Sequence, residues 1–375
     1  MTKIAYIGPY KDGTGYSNAC LENIMALDYI GVSVSPRSVK MTQSNGSLDE
    51  RLKRIAILEK NDLNGIDVVF QHNLPSEFSF KSDVKNIGVF SYETDNFVNS
   101  GWTNNVKMMD EIVVAASFEK KAILSSIGSS IENKVHVIPF PTNVEKYTKK
   151  YDHVDFGVPN NCLKFYTVAE FNKRKNLETL LMSYFSAFDS SDNVLLIIKT
   201  NGGERAEAGL KQLIEQVRVQ TKRFVDHSRF PKVLITASYL TEEQLLKFHA
   251  NCHVFISSSH GESHCLPMID AMGFGKPVIA PRHSVFLDHI EFPWQGRFVD
   301  TNQTFAFGAI DSLPRLYTSE ELWGWVNPVS LAREMIWMYQ HSDFVNSSSE
   351  VNMRKEYVTD KFNYATIGAK LKAIL

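Results

Sequence analysis

Only four cysteines, Cys20, Cys162, Cys252 and Cys265, occur in 375 residues, and no two of them stand in C-x-x-C spacing. They are too few for a disulfide scaffold and too scattered for a zinc knuckle, so a reducing compartment is expected. No stretch approaches the ~18 consecutive apolar residues of a membrane helix, and the apolar run at residues 3–8 is too short for a secretion signal. These absences lead to the expectation of a soluble, cytoplasmic protein with at most peripheral membrane contact. A dominant sign of charge is missing as well: 40 basic residues face 42 acidic ones, a net of −2, so no overall field steers the chain onto nucleic acid. The chain contains no D-x-D triplet, no H-E-x-x-H and no paired Cys/His set, so no metal site is expected.

What is present is a chain of ordinary globular composition, 43% hydrophobic and 22% charged. Its length exceeds what one core usually organises, and two domains are expected. Short runs rich in Val, Ile, Phe and Tyr alternate with longer stretches of helical periodicity, the signature of repeated βα units and an α/β fold. Strands are expected at residues 4–7, 32–35, 67–71, 86–90, 112–115 and 135–139 in the first half. The second half repeats the rhythm at 164–168, 194–199, 233–236, 254–257, 277–280 and 297–299. Several runs are apolar on both faces, as strands of a parallel sheet covered on both sides should be. Helices are expected near 18–27, 117–126, 177–188, 209–221, 241–250 and 268–273.

Two Rossmann-like doubly wound sheets follow, spanning residues 1–150 and 160–345 and joined through the polar stretch 141–161. Beyond about residue 300 the rhythm stops. Residues 330–340 and 362–375 read as helices with a serine-rich break at 347–349, and the last of them, from about 358, is expected to pack back on the first domain.

In open α/β sheets ligands sit beyond the carboxyl ends of strands, so the strand-end loops carry the chemistry. Residues 8–17 read GPYKDGTGYS, and Gly13, Thr14 and Gly15 would let a phosphate approach a helix start, or would simply form a tight turn. The loop lacks both G-x-G-x-x-G and a Lys-Ser/Thr ending, which counts against nicotinamide binding and nucleoside-triphosphate hydrolysis. Residues 167–177 read TVAEFNKRKNL, and Lys173, Arg174 and Lys175 crowd a helix N-terminus, where the macrodipole favours acids. A bound anion would resolve that conflict; a solvated basic corner is the alternative.

Residues 257–280, SSSHGESHCLPMIDAMGFGKPVIA, are the most informative: Glu262 and Asp270 stand either side of a helix start at Leu266 and Pro267. Carboxylates there can accept hydrogen bonds from sugar hydroxyls while the helix end faces phosphate, two needs that a nucleotide sugar combines.

This segment resembles the E-x7-E signature of retaining glycosyltransferases of GT-B architecture, above all glycosyltransferase family 4. Glu262 and Asp270 occupy the acidic positions, while Leu266-Pro267, Ala271-Met272, Gly275 and Pro277 to Ala280 match around them. Asp270 in place of Glu, and Ser263-His264-Cys265 in place of Gly-Phe-Gly, are departures. Lys175 matches the cation of the family's diphosphate-binding segment, and the arginine usual shortly before it is replaced by Ala169 and Glu170, so Arg174 or Lys173 would substitute. Residues 137–143, VIPFPTN, are similar to the domain-crossing segment, and 323–335 and 362–371 to the terminal helices. Where family members place a histidine after the fourth strand this chain reads GVFSYETD at 88–95, which leaves Glu93 as an acceptor or sugar contact, or as a turn cap.

The resemblance implies two Rossmann-like domains facing a central cleft, with C-terminal helices crossing back. It implies transfer of a hexose from a nucleoside-diphosphate sugar to a hydroxyl of a glycan, glycoprotein or lipid-linked acceptor, with retention and without metal or further cofactor. GDP-mannose is the first guess for the donor and a UDP-hexose the second. Glu262, Lys175 and Arg174 would be catalytic, Glu262 holding sugar hydroxyls and the cations the departing diphosphate. Gly13, Thr14, Gly15, Lys173, His264, Cys265, Leu266, Pro267 and Asp270 would bind the donor, Asp270 at its ribose. A homodimer is compatible with this reading. The rival is a sugar-nucleotide binder of the same fold without turnover.

Overall fold

Buried apolar runs become parallel strands throughout the computed structural model, which describes residues 2–42, 49–308 and 315–375. Val, Ile, Phe and Tyr dominate them because β-branched and aromatic side chains fill a pleated surface covered on both faces. The strand Val194–Lys199 is buried at every position. The chain divides into two units: Met1–Glu145 with Leu313–Glu321 and Thr359–Leu375, and Lys146–Ser312 with Leu322–Val358.

The first unit contains β1 (Lys3–Gly8), β2 (Ser33–Ser38), β3 (Val68–His72), β4 (Lys85–Val89), β5 (Glu111–Val114) and β6 (Val135–Val137), in the sheet order β2-β1-β3-β4-β5-β6. All neighbours are parallel, and the order reverses between β1 and β3. Ile24 and Leu27 of the helix Gly15–Tyr29 share one apolar core with Ile367 and Leu371 of the helix Tyr364–Lys372 and with Ile4 and Phe70 of the sheet.

The second unit contains β7 (Leu163–Val168), β8 (Val194–Lys199), β9 (Lys232–Thr236), β10 (Val254–Ile256), β11 (Val278–Pro281) and β12 (Gly296–Val299), in the order β12-β11-β10-β7-β8-β9. The order reverses between β7 and β10, so the loops leaving these two strands flank the switch point, where open parallel sheets bind ligands. Leu180 and Tyr184 of the helix Leu177–Ala187 pack with Leu331, Met335 and Met338 of the helix Pro328–Gln340 in the core of this unit.

Every strand expected from the apolar runs is present. The region beyond residue 300 differs: Thr301–Phe307 (β13) and Thr318–Val326 (β14) form a separate two-stranded sheet where no strand was expected. Each opens with four polar residues, TNQT and TSEE, and leaves much of the ribbon exposed, so they lack the continuous apolar runs that marked the others. Trp323, expected in a terminal helix, therefore lies in a strand, and the helix begins at Pro328 behind the N-cap Asn327, whose side chain accepts from Val329 and Ser330 N–H. The serine-rich stretch starts a helix, Ser348–Phe362, because Ser is well tolerated at a first turn. The last helix begins at Tyr364, capped by Asn363, two residues later than expected.

Gly296 opens β12 opposite Val278, and a Cβ built on it would stand 2.0 Å from the Val278 carbonyl oxygen. Gly296→Ala should therefore push β12 off β11 and lower unfolding free energy by about 2 kcal/mol, typical of overpacking; an unchanged denaturation midpoint would contradict this close approach.

Candidate active site

The loop after β7 is shaped by its own side chains. Asn172 caps a single 3-10 turn, Lys173–Lys175, through its Oδ1, which accepts from Lys175 N–H at 3.2 Å. Asn176 then takes the left-handed conformation, and the helix Leu177–Ala187 starts with Glu178 in its first turn. The three cations thus precede the helix instead of occupying its first turn, and the expected clash with the macrodipole is relaxed by an acid at the proper place.

The anion expected near these cations is supplied by the chain itself. Lys175 Nζ donates to Glu262 Oε1 at 2.5 Å, Arg174 Nη1 lies 3.2 Å from Oε2, and the same Nη1 donates to Gly261 O at 2.6 Å. Burial alone would raise the Glu262 carboxyl, but the Lys175 and Arg174 charges overcome it and hold the value down to about 2. Glu262 is therefore ionised at any physiological pH and cannot serve as a proton donor. The backbones of the two loops are laced together: His260 N–H donates to Arg174 O at 2.8 Å, Ser259 Oγ to Arg174 O at 3.2 Å, and Ser258 Oγ to Lys175 O at 3.0 Å. His260 donates from Nδ1 to Gly324 O at 2.6 Å and stacks on Trp323 with ring centroids 4.6 Å apart.

Beyond Glu262 the chain turns through Cys265, in the left-handed region at φ 58°, into the helix Leu266–Gly273 with Pro267 in its first turn. The Cys265 thiol is pushed up by burial, with the Glu262 charge adding to it, and so stays protonated. His264 Nδ1 meets His289 Nε2 at 3.3 Å. Lys173 is exposed, its ammonium 5.4 Å from the Phe307 ring centre.

Asp270, on the same helix, is held separately from Lys175. Lys146 Nζ and Tyr147 OH reach its Oδ1 at 2.8 and 2.7 Å, and no bond to Oδ2 is present among the described residues. Burial would raise this carboxyl, but Lys146 and then His249 hold it below its ordinary value. The two acids of the motif thus each have their own cation. Lys146 and Tyr147 were not legible as site residues: they lie in a stretch that reads as a polar connector, 123 residues from Asp270 in the case of Tyr147.

In the first unit, Thr14 caps the helix Gly15–Tyr29 by accepting from Ser17 N–H at 3.1 Å, while Gly13 takes φ 69°, a left-handed turn that glycine adopts freely. Gly15 has open space where a side chain would be. Glu93 accepts from Tyr317 OH at 2.5 Å. Behind it is a carboxylate the sequence reading missed: buried Glu119 accepts from the backbone N–H groups of Tyr92, Ala115 and Ala116, each at 2.9 Å. A glutamate three residues after the helix N-cap, Ala116, was the available signal. His72, at the end of β3, is buried, bonds Tyr6 OH through Nδ1 at 2.7 Å and is pushed down to about 3 by burial.

Among the described residues no group of three His, Cys, Asp or Glu side chains could hold a metal ion, and no helix is long and apolar enough to cross a membrane. Residues 148–313 match the family model described as glycosyl transferases group 1. A comparison with curated proteins found no match. Among solved structures, HepE from Anabaena in complex with UDP superposes with a TM-score of 0.65 at 12% identity, covering 99% of each chain. Sucrose-phosphate synthase from Thermosynechococcus elongatus gives 0.66 at 14% identity, covering 100% of this chain and 98% of that one. A glycosyltransferase from Rickettsia africae gives 0.64 at 13%, with 100% and 97% covered. The class is therefore a two-domain α/β protein of GT-B fold carrying a glycosyltransferase group 1 domain. The protein is a glycosyltransferase.

Because Glu262 is depressed from the ordinary ~4.3 to about 2, its ionisation stabilises the fold above the unfolded value, and that contribution is lost as pH falls toward 2. Glu262→Gln should be less stable than the parent by on the order of 2 kcal/mol at pH 7, with the gap steady down to about pH 5 and closing below it. Denaturant titrations at several pH values read this directly; a gap that widens on acidification would refute the assigned pairing.

Proposed function

We propose that the protein transfers a hexose from a nucleoside-diphosphate sugar to an acceptor hydroxyl with retention and without a metal ion. Residues 160–345 would form the donor domain, and residues 1–150, with the helix from about 358, the acceptor domain. The observation that carries this reading is the ion cluster of Lys175, Arg174 and Glu262 at the switch point of the second sheet. Two cations share one carboxylate there, so one positive charge remains for a diphosphate, preset by Glu262 before any ligand arrives. Preorganised charge of this kind stabilises a leaving group without reorganisation cost.

In this mechanism Lys175 and Arg174 take up negative charge as the sugar–phosphate bond breaks, aided by the N-terminus of the helix Leu266–Gly273. Glu262, permanently ionised, keeps lone pairs for sugar hydroxyls on oxygens already bound by the cations. Asp270 accepts from the ribose through Oδ2, with Oδ1 fixed by Lys146 and Tyr147. Lys173, His264, Cys265, Leu266 and Pro267 line the donor. Glu93, oriented by Tyr317, contacts acceptor or sugar. No protein nucleophile is assigned: the leaving phosphate deprotonates the acceptor on the same face.

Structures of HepE hold UDP with glucose, and UDP-glucose, which favours a UDP-hexose over GDP-mannose as donor. Glycans, glycoproteins and lipid-linked sugars are the acceptor classes.

Calorimetric titration with UDP-glucose, GDP-mannose and UDP-N-acetylglucosamine, followed by transfer assays in EDTA, tests the proposal. Lys175→Ala should lower turnover by at least ~10²-fold, as loss of one preorganised contact does, whereas Asp270→Ala should chiefly weaken nucleotide binding. Binding without turnover toward any acceptor would favour the non-catalytic reading, and activity abolished by chelator and restored by manganese would overturn the metal-free mechanism.

A further inference from the structure

The strands that carry the proposed donor loops at one end carry an unneutralised cluster of cations at the other. Register across β11, β10 and β7 pairs Phe255 with Val278 and Val254 with Phe165, so His253, just before β10, stands between Lys164, near the start of β7, and Lys276, two residues before β11, at the amino-terminal edge. The backbone agrees: His253 N–H donates to Lys164 O at 3.0 Å, Lys164 N–H to His253 Nδ1 at 3.0 Å, and Phe255 N–H to Pro277 O at 3.1 Å. A third ammonium comes from the helix Ser348–Phe362, where Lys355 passes so close to Gly275 that a methyl group there would lie 3.3 Å from its Cε.

Among the described residues no carboxylate pairs with these charges. Lys164 is buried, and among the described residues its Nζ finds only the carbonyl of Cys162, at 3.3 Å. Among the described residues Lys276 and Lys355 meet neither a carboxylate nor a hydrogen-bond acceptor. The nearby carboxylate of Glu350 is already shared with buried Arg354, whose guanidinium otherwise donates to the carbonyls of Trp294, Gly275 and Phe344. Burial pushes Lys276 down to about 8; Cys252 opposes this, while Lys355 and Lys164 add to it. The Cys252 thiol is itself pushed well up by burial and carries no charge at neutral pH. Burial, with Lys164 and Lys276, pushes His253 down to about 4, so the ring is neutral; since Nδ1 accepts from Lys164, its proton is on Nε2.

Two helices, Glu242–Asn251 and Leu266–Gly273, end their carbonyl poles at this edge. Each pole supplies about half an elementary charge. Together they offset roughly one of the three ammoniums and leave an excess of about two positive charges. A buried charge without a partner is costly enough that such groups are normally paired, and a phosphate group, at about −1.5 to −2 near neutral pH, matches the excess.

We propose that Lys164, Lys276 and Lys355, with His253 Nε2 as a neutral donor, form a second anion site in this unit, for a phosphate group and at the opposite end of the sheet from the donor loops. The inference does not rest on the proposed sugar transfer. The phosphate could be soluble or carried by a lipid headgroup, since the chemistry recognised is the same.

The test uses the full-length Lys175→Ala protein, so that the donor loops contribute little. Its thermal midpoint should rise saturably with inorganic phosphate or pyrophosphate at constant ionic strength, and Lys276→Met with Lys355→Met added should weaken the half-saturating concentration by at least tenfold. The same double substitution should raise the midpoint without phosphate, by removing repulsion, which separates loss of the site from loss of the fold. Sedimentation with phosphatidylcholine vesicles, with and without phosphatidic acid, identifies the source: co-sedimentation only with phosphatidic acid, abolished by the substitutions, supports a lipid headgroup, and saturation by free phosphate alone supports a soluble ion. Absence of any saturable response in Lys175→Ala, or an undiminished response after Lys276→Met and Lys355→Met, overturns the site.

Discussion

A buried carboxylate clamped between two cations governs the second unit. Glu262 could not remain charged inside the protein alone, and Lys175 and Arg174 could not converge on the switch point without an anion between them. Removing any member leaves an uncompensated charge, so the two loops order each other. The serine and histidine contacts from Ser258, Ser259 and His260 to the backbone of the 3-10 turn fix that geometry. What results is a positively biased surface at a helix start, held ready in advance.

Buried acids in this protein are stabilised in two different ways. Glu262 and Asp270 face ammonium and guanidinium groups, and their environment can exchange a protein carboxylate for a ligand oxyanion at little cost in charge. Glu119 in the first unit is satisfied by three backbone N–H groups, which cannot be exchanged without opening the strand end that carries Tyr92 and Glu93. The first arrangement suits a site where anions come and go, and the second suits a scaffold.

The parallel strands were legible because each is a continuous apolar run, the form a doubly covered sheet requires. The same criterion hid β13 and β14, whose first halves are polar and largely exposed, and it carried Trp323 into a helix that begins only at Pro328. At the site, the spacing of Glu262 and Asp270 around a helix start could be read directly. Their cations could be read only in part: Lys175 and Arg174 stood out as a local conflict with the macrodipole, but Lys146 and Tyr147 gave no local signal and reach Asp270 only through the folded chain.

Sequence alone thus determined the α/β class, the succession of strands and the residue types gathered at strand ends, because these follow from periodicity and hydrophobicity along neighbouring positions. Tertiary structure decided which charges neutralise which. It joined Glu262 to the cations after β7, gave Asp270 a lysine from a distant segment, and left Lys276 and Lys355 without a carboxylate among the described residues. Electrostatic pairing depends on distance and burial in space, and neither is a function of separation along the chain.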